Sequence, residues 1–158
     1  VKAVYEQLEK SFGVVPNVLK GMANITELFM CFMPLLGATL GPSKVDNATK
    51  ELAILTTTKL NGCSYCTAHH TGAGKRAGLT EEKIDAVPDE NSPALDDREK
   101  AVVRFSKELA QNVAASQESI DELRKHFDDA QIAELNIVNG TFHILTRFAD
   151  TFKVELER

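Results

Sequence analysis

Glu51-Leu-Ala-Ile-Leu-Thr-Thr-Thr-Lys-Leu-Asn-Gly-Cys63-Ser-Tyr-Cys66-Thr-Ala-His-His70 reads as the end of one helix, a stop, and the start of another. A periodic stretch begins near Ser43 or Asp46 and runs to Leu60, with Val45, Leu52, Ala53, Leu55 and Thr56 inward. Asn61-Gly62 stops it, and Gly62 suits the left-handed position after a helix end. The next helix is expected from about Cys63 to Ala77, with Gly78 past its end. The two form a central antiparallel helix hairpin carrying a Cys-x-x-Cys motif, and the expected fold class is all-α.

Outward from the hairpin the punctuation stays helical. Val1 to Phe12 carries Val1, Val4, Tyr5, Leu8 and Phe12 at near-3.6 spacing and is ended by Gly13 and Pro16. Pro16 to Met22 is a short helix. Asn24 or Thr26 caps a third, which runs to about Leu40 with Pro34 inside. From Leu28 to Leu36 this helix is apolar on all faces, which predicts burial in a core or under a partner chain, with Cys31 a buried, inert thiol. Thr80 starts a short helix, residues 87–95 are a loop, and helices follow at about 96–113, 117–126 and 129–155. The last opens on a capping-box pattern, Asp128 with Gln131. Its Leu135, Val138, Phe142, Leu145, Ala149, Phe152 and Leu156 form a heptad stripe expected to pack along the core, or also against another subunit. No run of strand period is found.

A length of 158 residues is one ordinary domain, taken as residues 1–158. With 43% hydrophobic and 26% charged residues the chain reads as globular. Eighteen Lys and Arg against 23 Asp and Glu leave a net charge of −5 with no basic cluster, which excludes nucleic acid as a partner. The longest apolar run is too short to span a bilayer and contains Pro34, so no membrane is expected. Three cysteines are too few for a disulfide-stapled secreted scaffold. Residues 1–12 do not read as a signal peptide, and a cytoplasmic location follows; residue 1 is Val rather than Met, so upstream residues are allowed for.

Cys63 and Cys66 both fall in the first turn of the second hairpin helix. Unpaired backbone N–H groups and the helix dipole stabilise an anion there, which raises the thiolate fraction near neutral pH. A separation of three puts both sulfurs on one face, close enough for a disulfide. His70 lies on the same stripe, four residues after Cys66, and an imidazole there exchanges protons with a thiol or a leaving oxygen. Glu51 and His70 are nearly level across the turn, each about 10–15 Å from it at 1.5 Å per residue. A carboxylate bonded to the ring would orient it and raise its basicity. The candidate catalytic set is Cys66, Cys63, His70 and Glu51.

Glu51 followed by Cys63-x-x-Cys66-x-x-x-His70, with the Leu-Thr-Thr-Thr-Lys-Leu-Asn-Gly lead-in, resembles the AhpD-like alkylhydroperoxidases of the carboxymuconolactone decarboxylase superfamily. The match spans residues 43–79, and Cys-Ser-Tyr-Cys is similar to the peroxidase-related branch. The resemblance implies an AhpD-like helical domain, a homo-oligomer, and reduction of a small organic hydroperoxide through a redox-active disulfide. It implies Cys66 as the attacking sulfur, Cys63 as the resolving one, and an external dithiol reductant, a lipoyl-bearing protein being one. In the AhpD pattern a His precedes the second cysteine. Tyr65 stands there instead; it cannot shuttle protons near neutral pH but has an O–H to donate to a thiolate or peroxide oxygen. Position in the helix favours Cys63 as nucleophile, while His70 and the resemblance favour Cys66, the assignment adopted. The alternatives are a dithiol–disulfide oxidoreductase serving a lipoyl or peroxiredoxin partner, and a carboxymuconolactone-type decarboxylase, which would not need two thiols.

No metal and no cofactor is expected. Zinc would need further ligands from His69, Cys31, His126 or His143 without a second spaced pair, and haem attachment would need His where Thr67 stands. His69 is expected exposed or against a neighbouring helix, and His143 partly buried with a satisfied ring. Lys75 and Arg76 suit the helix C-terminal dipole, or else attract an anionic substrate or partner. Gly72 and Gly74 inside a helix predict a close approach there. The segment around Phe29 to Leu36 is either core or the wall of a pocket for an organic hydroperoxide.

Overall fold

The computed structural model describes residues 1–157, and among them the chain forms nine helices and no strand. They are α1 (Lys2–Phe12), α2 (Asn17–Met22), α3 (Thr26–Leu40), α4 (Asn47–Leu60), α5 (Ser64–Arg76), α6 (Glu81–Ala86), α7 (Asp97–Asn112), α8 (Gln117–Arg124) and α9 (Asp129–Thr151). None of the described helices is long and apolar enough to cross a membrane. The all-α class expected from the sequence is the one observed.

The centre is α4, packed against α5, α7 and α9. Every residue from Thr49 to Thr58 is buried, not only the apolar stripe read from the sequence. Buried polar groups must be paired, and these are. Lys50 Nζ donates to Gly41 O at 2.8 Å and lies 3.0 Å from Glu134 Oε1. Thr56 Oγ1 donates to Leu52 O, and Thr57 Oγ1 donates to Asn139 Oδ1 at 2.6 Å. The capping box at Asp128 and Gln131 starts α9, and Asp46 caps α4 through Thr49 N–H.

Several expectations need correction. Ile25 holds the N-cap position of α3 without a side-chain bond, and Thr26 is already helical. Of the two alternatives for that helix, burial in the chain's own core is not met all round: Phe29, Phe32 and Leu36 face the core, whereas Leu28 is 65% exposed and Cys31 is exposed rather than buried. α9 ends at Thr151, not 155. Lys153 takes a positive φ and Val154 N–H bonds back to Ala149 O, which turns the chain away. The heptad stripe is therefore buried only through Ala149, leaving Phe152 66% and Leu156 50% exposed.

Candidate functional site

The turn between α4 and α5 fixes the cysteines. Gly62 has φ 71°, Gly62 N–H bonds to Lys59 O and Cys63 N–H to Thr58 O, so the chain leaves α4 through the two-bond glycine closure that satisfies its last carbonyls. The residue just past that closure is also the N-cap of α5. Cys63 Sγ accepts the Cys66 N–H at 3.3 Å, the role a Ser or Asp oxygen plays at other helix starts. Beyond the turn α4 and α5 run alongside each other: Thr67 Oγ1 lies 3.2 Å from Thr58 Oγ1, and farther on His70 Nδ1 lies 2.7 Å from Glu51 Oε2. The His70 ring stands edge-on to Phe142 at 4.6 Å. With Glu51 ionised, Nδ1 is the donor, which leaves Nε2 as the open proton acceptor.

Both sulfurs are free thiols, and they are not equivalent. Cys63 is 0% exposed and Cys66 4%. A cavity of about 730 Å³ reaches Cys66, with Glu51, Tyr65, His69 and His70 on the same wall. Leu8 of α1, Met30, Met33 and Leu36 of α3, and Leu145 of α9 make most of it apolar. Cys63 does not line it. The hydrogen bond from the Cys66 thiol, helped by the Cys66 N–H and opposed by burial, holds the Cys63 thiol below its ordinary range. The same bond, then burial, then the charges of Cys63 and Asp150 push Cys66 up. Of the two, the inner sulfur therefore ionises first, while the outer one keeps its proton longer.

Two groups were missed in the sequence. Asp150 of α9 faces the pair and opposes ionisation of both sulfurs. Glu157, in the tail after α9, accepts from Asn17 N–H at 2.5 Å and from Tyr65 O–H at 2.8 Å, and lies 2.8 Å from His69 Nε2. The phenol oxygen also accepts from Val18 N–H at 3.3 Å. Tyr65 therefore has no proton left for a thiolate or peroxide, contrary to the role considered above. Asp150 and Glu157 carry no sequence signal, because each meets the site through a chain reversal or a distant helix. His69 packs on the Tyr65 ring at 4.6 Å, and His143 is half-buried with Nδ1 3.0 Å from Asn61 Nδ2. Gly74 is where the close approach occurs: a Cβ there would lie 3.2 Å from Leu79 and 3.3 Å from Leu55, whereas Gly72 meets only the Arg76 side chain. Among the described residues no group of three or more His, Cys, Asp or Glu side chains is placed to hold a metal ion.

The sequence model of the Carboxymuconolactone decarboxylase family matches residues 26–108. An uncharacterized protein of Bacillus subtilis, YdfG, is 28% identical over 101 residues, 61% of this chain and 67% of that protein. Among solved structures, an uncharacterized peroxidase-related protein from Ralstonia eutropha described as an alkylhydroperoxidase AhpD core superposes with a TM-score of 0.87 at 19% identity, covering 98% of this chain and 84% of that one. The debrominase Bmp8 superposes with a TM-score of 0.85 at 19% identity, covering 99% and 85%. At such identities the two structures speak for the fold.

Proposed function

The chain belongs to the carboxymuconolactone decarboxylase family, and from that premise we propose that it is a thiol-dependent peroxidase reducing organic hydroperoxides at Cys66 and Cys63. The observation that carries the reading is the placement of one thiol of a helix-opening pair on the wall of an apolar cavity that also holds a Glu51–His70 couple at 2.7 Å.

A hydroperoxide enters the cavity and meets Cys66. The Cys66 proton leaves for His70 Nε2, with Glu51 stabilising the imidazolium formed. The thiolate attacks the outer peroxide oxygen. The O–O bond breaks, the S–O bond of a sulfenic acid forms, and the alkoxide takes the proton from His70 to leave as the alcohol. Cys63 then gives up its proton and its thiolate attacks the sulfenic sulfur, forming the disulfide and breaking the S–O bond; the hydroxide that leaves takes up an equivalent proton from solvent to become water. The peroxide is reduced by two electrons and the dithiol is oxidised by two. An external dithiol restores the pair by exchange, releasing its own disulfide.

The burial of both sulfurs weighs against a folded protein disulfide as direct partner and favours a slender donor such as a lipoyl arm. A decarboxylase would leave the paired thiols without a role. The exposed apolar face of α3 (Leu28, Cys31 and Leu35) supports assembly into a homo-oligomer. The test is to count free thiols in the reduced protein before and after stoichiometric cumene hydroperoxide. Loss of two thiols with formation of one cumyl alcohol is expected; no loss of thiol and no alcohol would overturn the reading.

A further inference from the structure

The cavity has direction. One face of α5, formed by Tyr65, Cys66, His69, His70, Ala73 and Arg76, lines it from the first turn of the helix to the last. The thiol stands at one end of that face and a guanidinium at the other. Arg76 Nη1 turns back toward Gly72, 3.4 Å from where a Cβ on that residue would sit. At 1.5 Å per residue the head group lies about 9 Å from the level of Cys66 at the Gly72 position and about 15 Å at its own.

The charges around this end are already committed, with one exception. A smaller polar pocket of about 220 Å³ shares Leu40, Glu51, Ala73 and Arg76 with the large cavity and adds Lys50. Glu51 is bonded to His70, Lys50 is paired with Glu134, and His69 lies against Glu157. Lys75, the neighbour of Arg76, is paired with Glu81. No carboxylate among the described residues lies within ion-pair distance of Arg76. The C-terminal dipole of α5 favours a cation there without using its five N–H donors.

We infer that the cavity takes a long-chain carboxylic acid bearing a hydroperoxide, with its carboxylate held by Arg76 and its peroxide presented to Cys66. The inference rests on the peroxidase reading and names its substrate class. A fork of parallel N–H donors matches a carboxylate, and the Glu51 carboxylate on the same rim disfavours a head group of higher charge. An extended chain advances about 3.5 Å per three bonds, so roughly eight to thirteen bonds separate the acid carbon from the peroxide-bearing carbon.

The experiment uses the reduced protein and follows single-turnover thiol loss at sub-saturating peroxide. The probes are the 9- and 13-hydroperoxides of linoleic acid, their methyl esters, and cumene hydroperoxide. The acids react about tenfold faster than the esters, the size expected of one charge-assisted bidentate bond. Arg76→Met abolishes this preference and Arg76→Lys keeps part of it, each read as the acid-to-ester ratio within one variant, with cumene hydroperoxide giving the variant's carboxylate-independent rate. Equal rates for acid and ester in the native protein, or an undiminished preference in Arg76→Met, would overturn the inference. Calorimetric binding of decanoate below its micellar concentration reads the site without redox chemistry. Binding about tenfold weaker in Arg76→Met supports the carboxylate site even where no peroxide is reduced, in which case only the peroxidase reading falls; unchanged binding overturns the carboxylate site itself.

Discussion

Cys63 is the residue past the end of one helix and the cap of the next, so its backbone and its sulfur serve two different helix termini. This double duty ties the thiol chemistry to the turn. The hydrogen bond from Cys66 depresses Cys63 and raises Cys66. Removing either partner therefore moves the survivor in a known direction. In Cys66→Ala, ultraviolet thiolate absorbance of Cys63 should appear at higher pH than in the native pair. In Cys63→Ala, the Cys66 thiolate should appear at lower pH than it does beside Cys63. Shifts of the opposite sign would show that the proton sits on the other sulfur. His70→Ala should slow peroxide-driven thiol loss by about 10²–10⁴-fold, the range of a positioned acid–base group. Glu51→Gln, which keeps the shape and removes the charge, should cost less. Both residues were legible because the turn fixes their level, and the 2.7 Å contact is the consequence. Cys31 was misjudged because an apolar neighbourhood in sequence says nothing about which side of a helix faces out.

α5 is held to α4 by small residues as much as by large ones. A Cβ on Gly74 would lie within 3.4 Å of Leu79 and Leu55, both at the ends of movable side chains. Gly74→Ala should leave stability within about 1 kcal/mol of native, because the gain in helix propensity offsets mild crowding. Gly74→Val should destabilise by about 1–3 kcal/mol through overpacking, as read by denaturant unfolding. Equal stability of the two would mean that α5 is free to move away. The helices themselves were largely readable, since glycine stops, Asp caps and the capping box at Asp128 are local signals. The end of α9 was not, because the apolar repeat continues into Phe152 and Leu156 after the backbone has already turned at Lys153.

Across the whole molecule, the tail after α9 closes the structure by bringing Glu157 to the start of α2 and to the site helix. Burial alone would raise the Glu157 carboxyl, but bonds from Asn17 N–H and Tyr65 O–H prevail and hold it below the usual carboxylate range. A group depressed in the folded state stabilises the fold above its unfolded pKa, and that contribution fades as pH falls through the folded value. Glu157→Gln should thus lower Tm at neutral pH and show a smaller further loss on acidification below about pH 4.5 than the native protein. Parallel pH curves for the two would remove Glu157 from the stability of the tail. Light scattering tests the assembly suggested by the exposed α3 face: a monomer at micromolar concentration would rule it out.

The sequence by itself determined the helical class, the turn at Asn61-Gly62, the thiol pair at a helix start and the carboxylate level with an imidazole. All of these depend on spacing within one short stretch of chain, where backbone geometry is nearly fixed. The tertiary structure alone decided which sulfur meets the cavity, that Tyr65 is bound by Glu157, that Asp150 faces the thiols and that Arg76 stands without a partner. Those facts depend on which faces of helices distant in the chain come together, and packing against α1, α3 and α9 sets that without leaving a local trace.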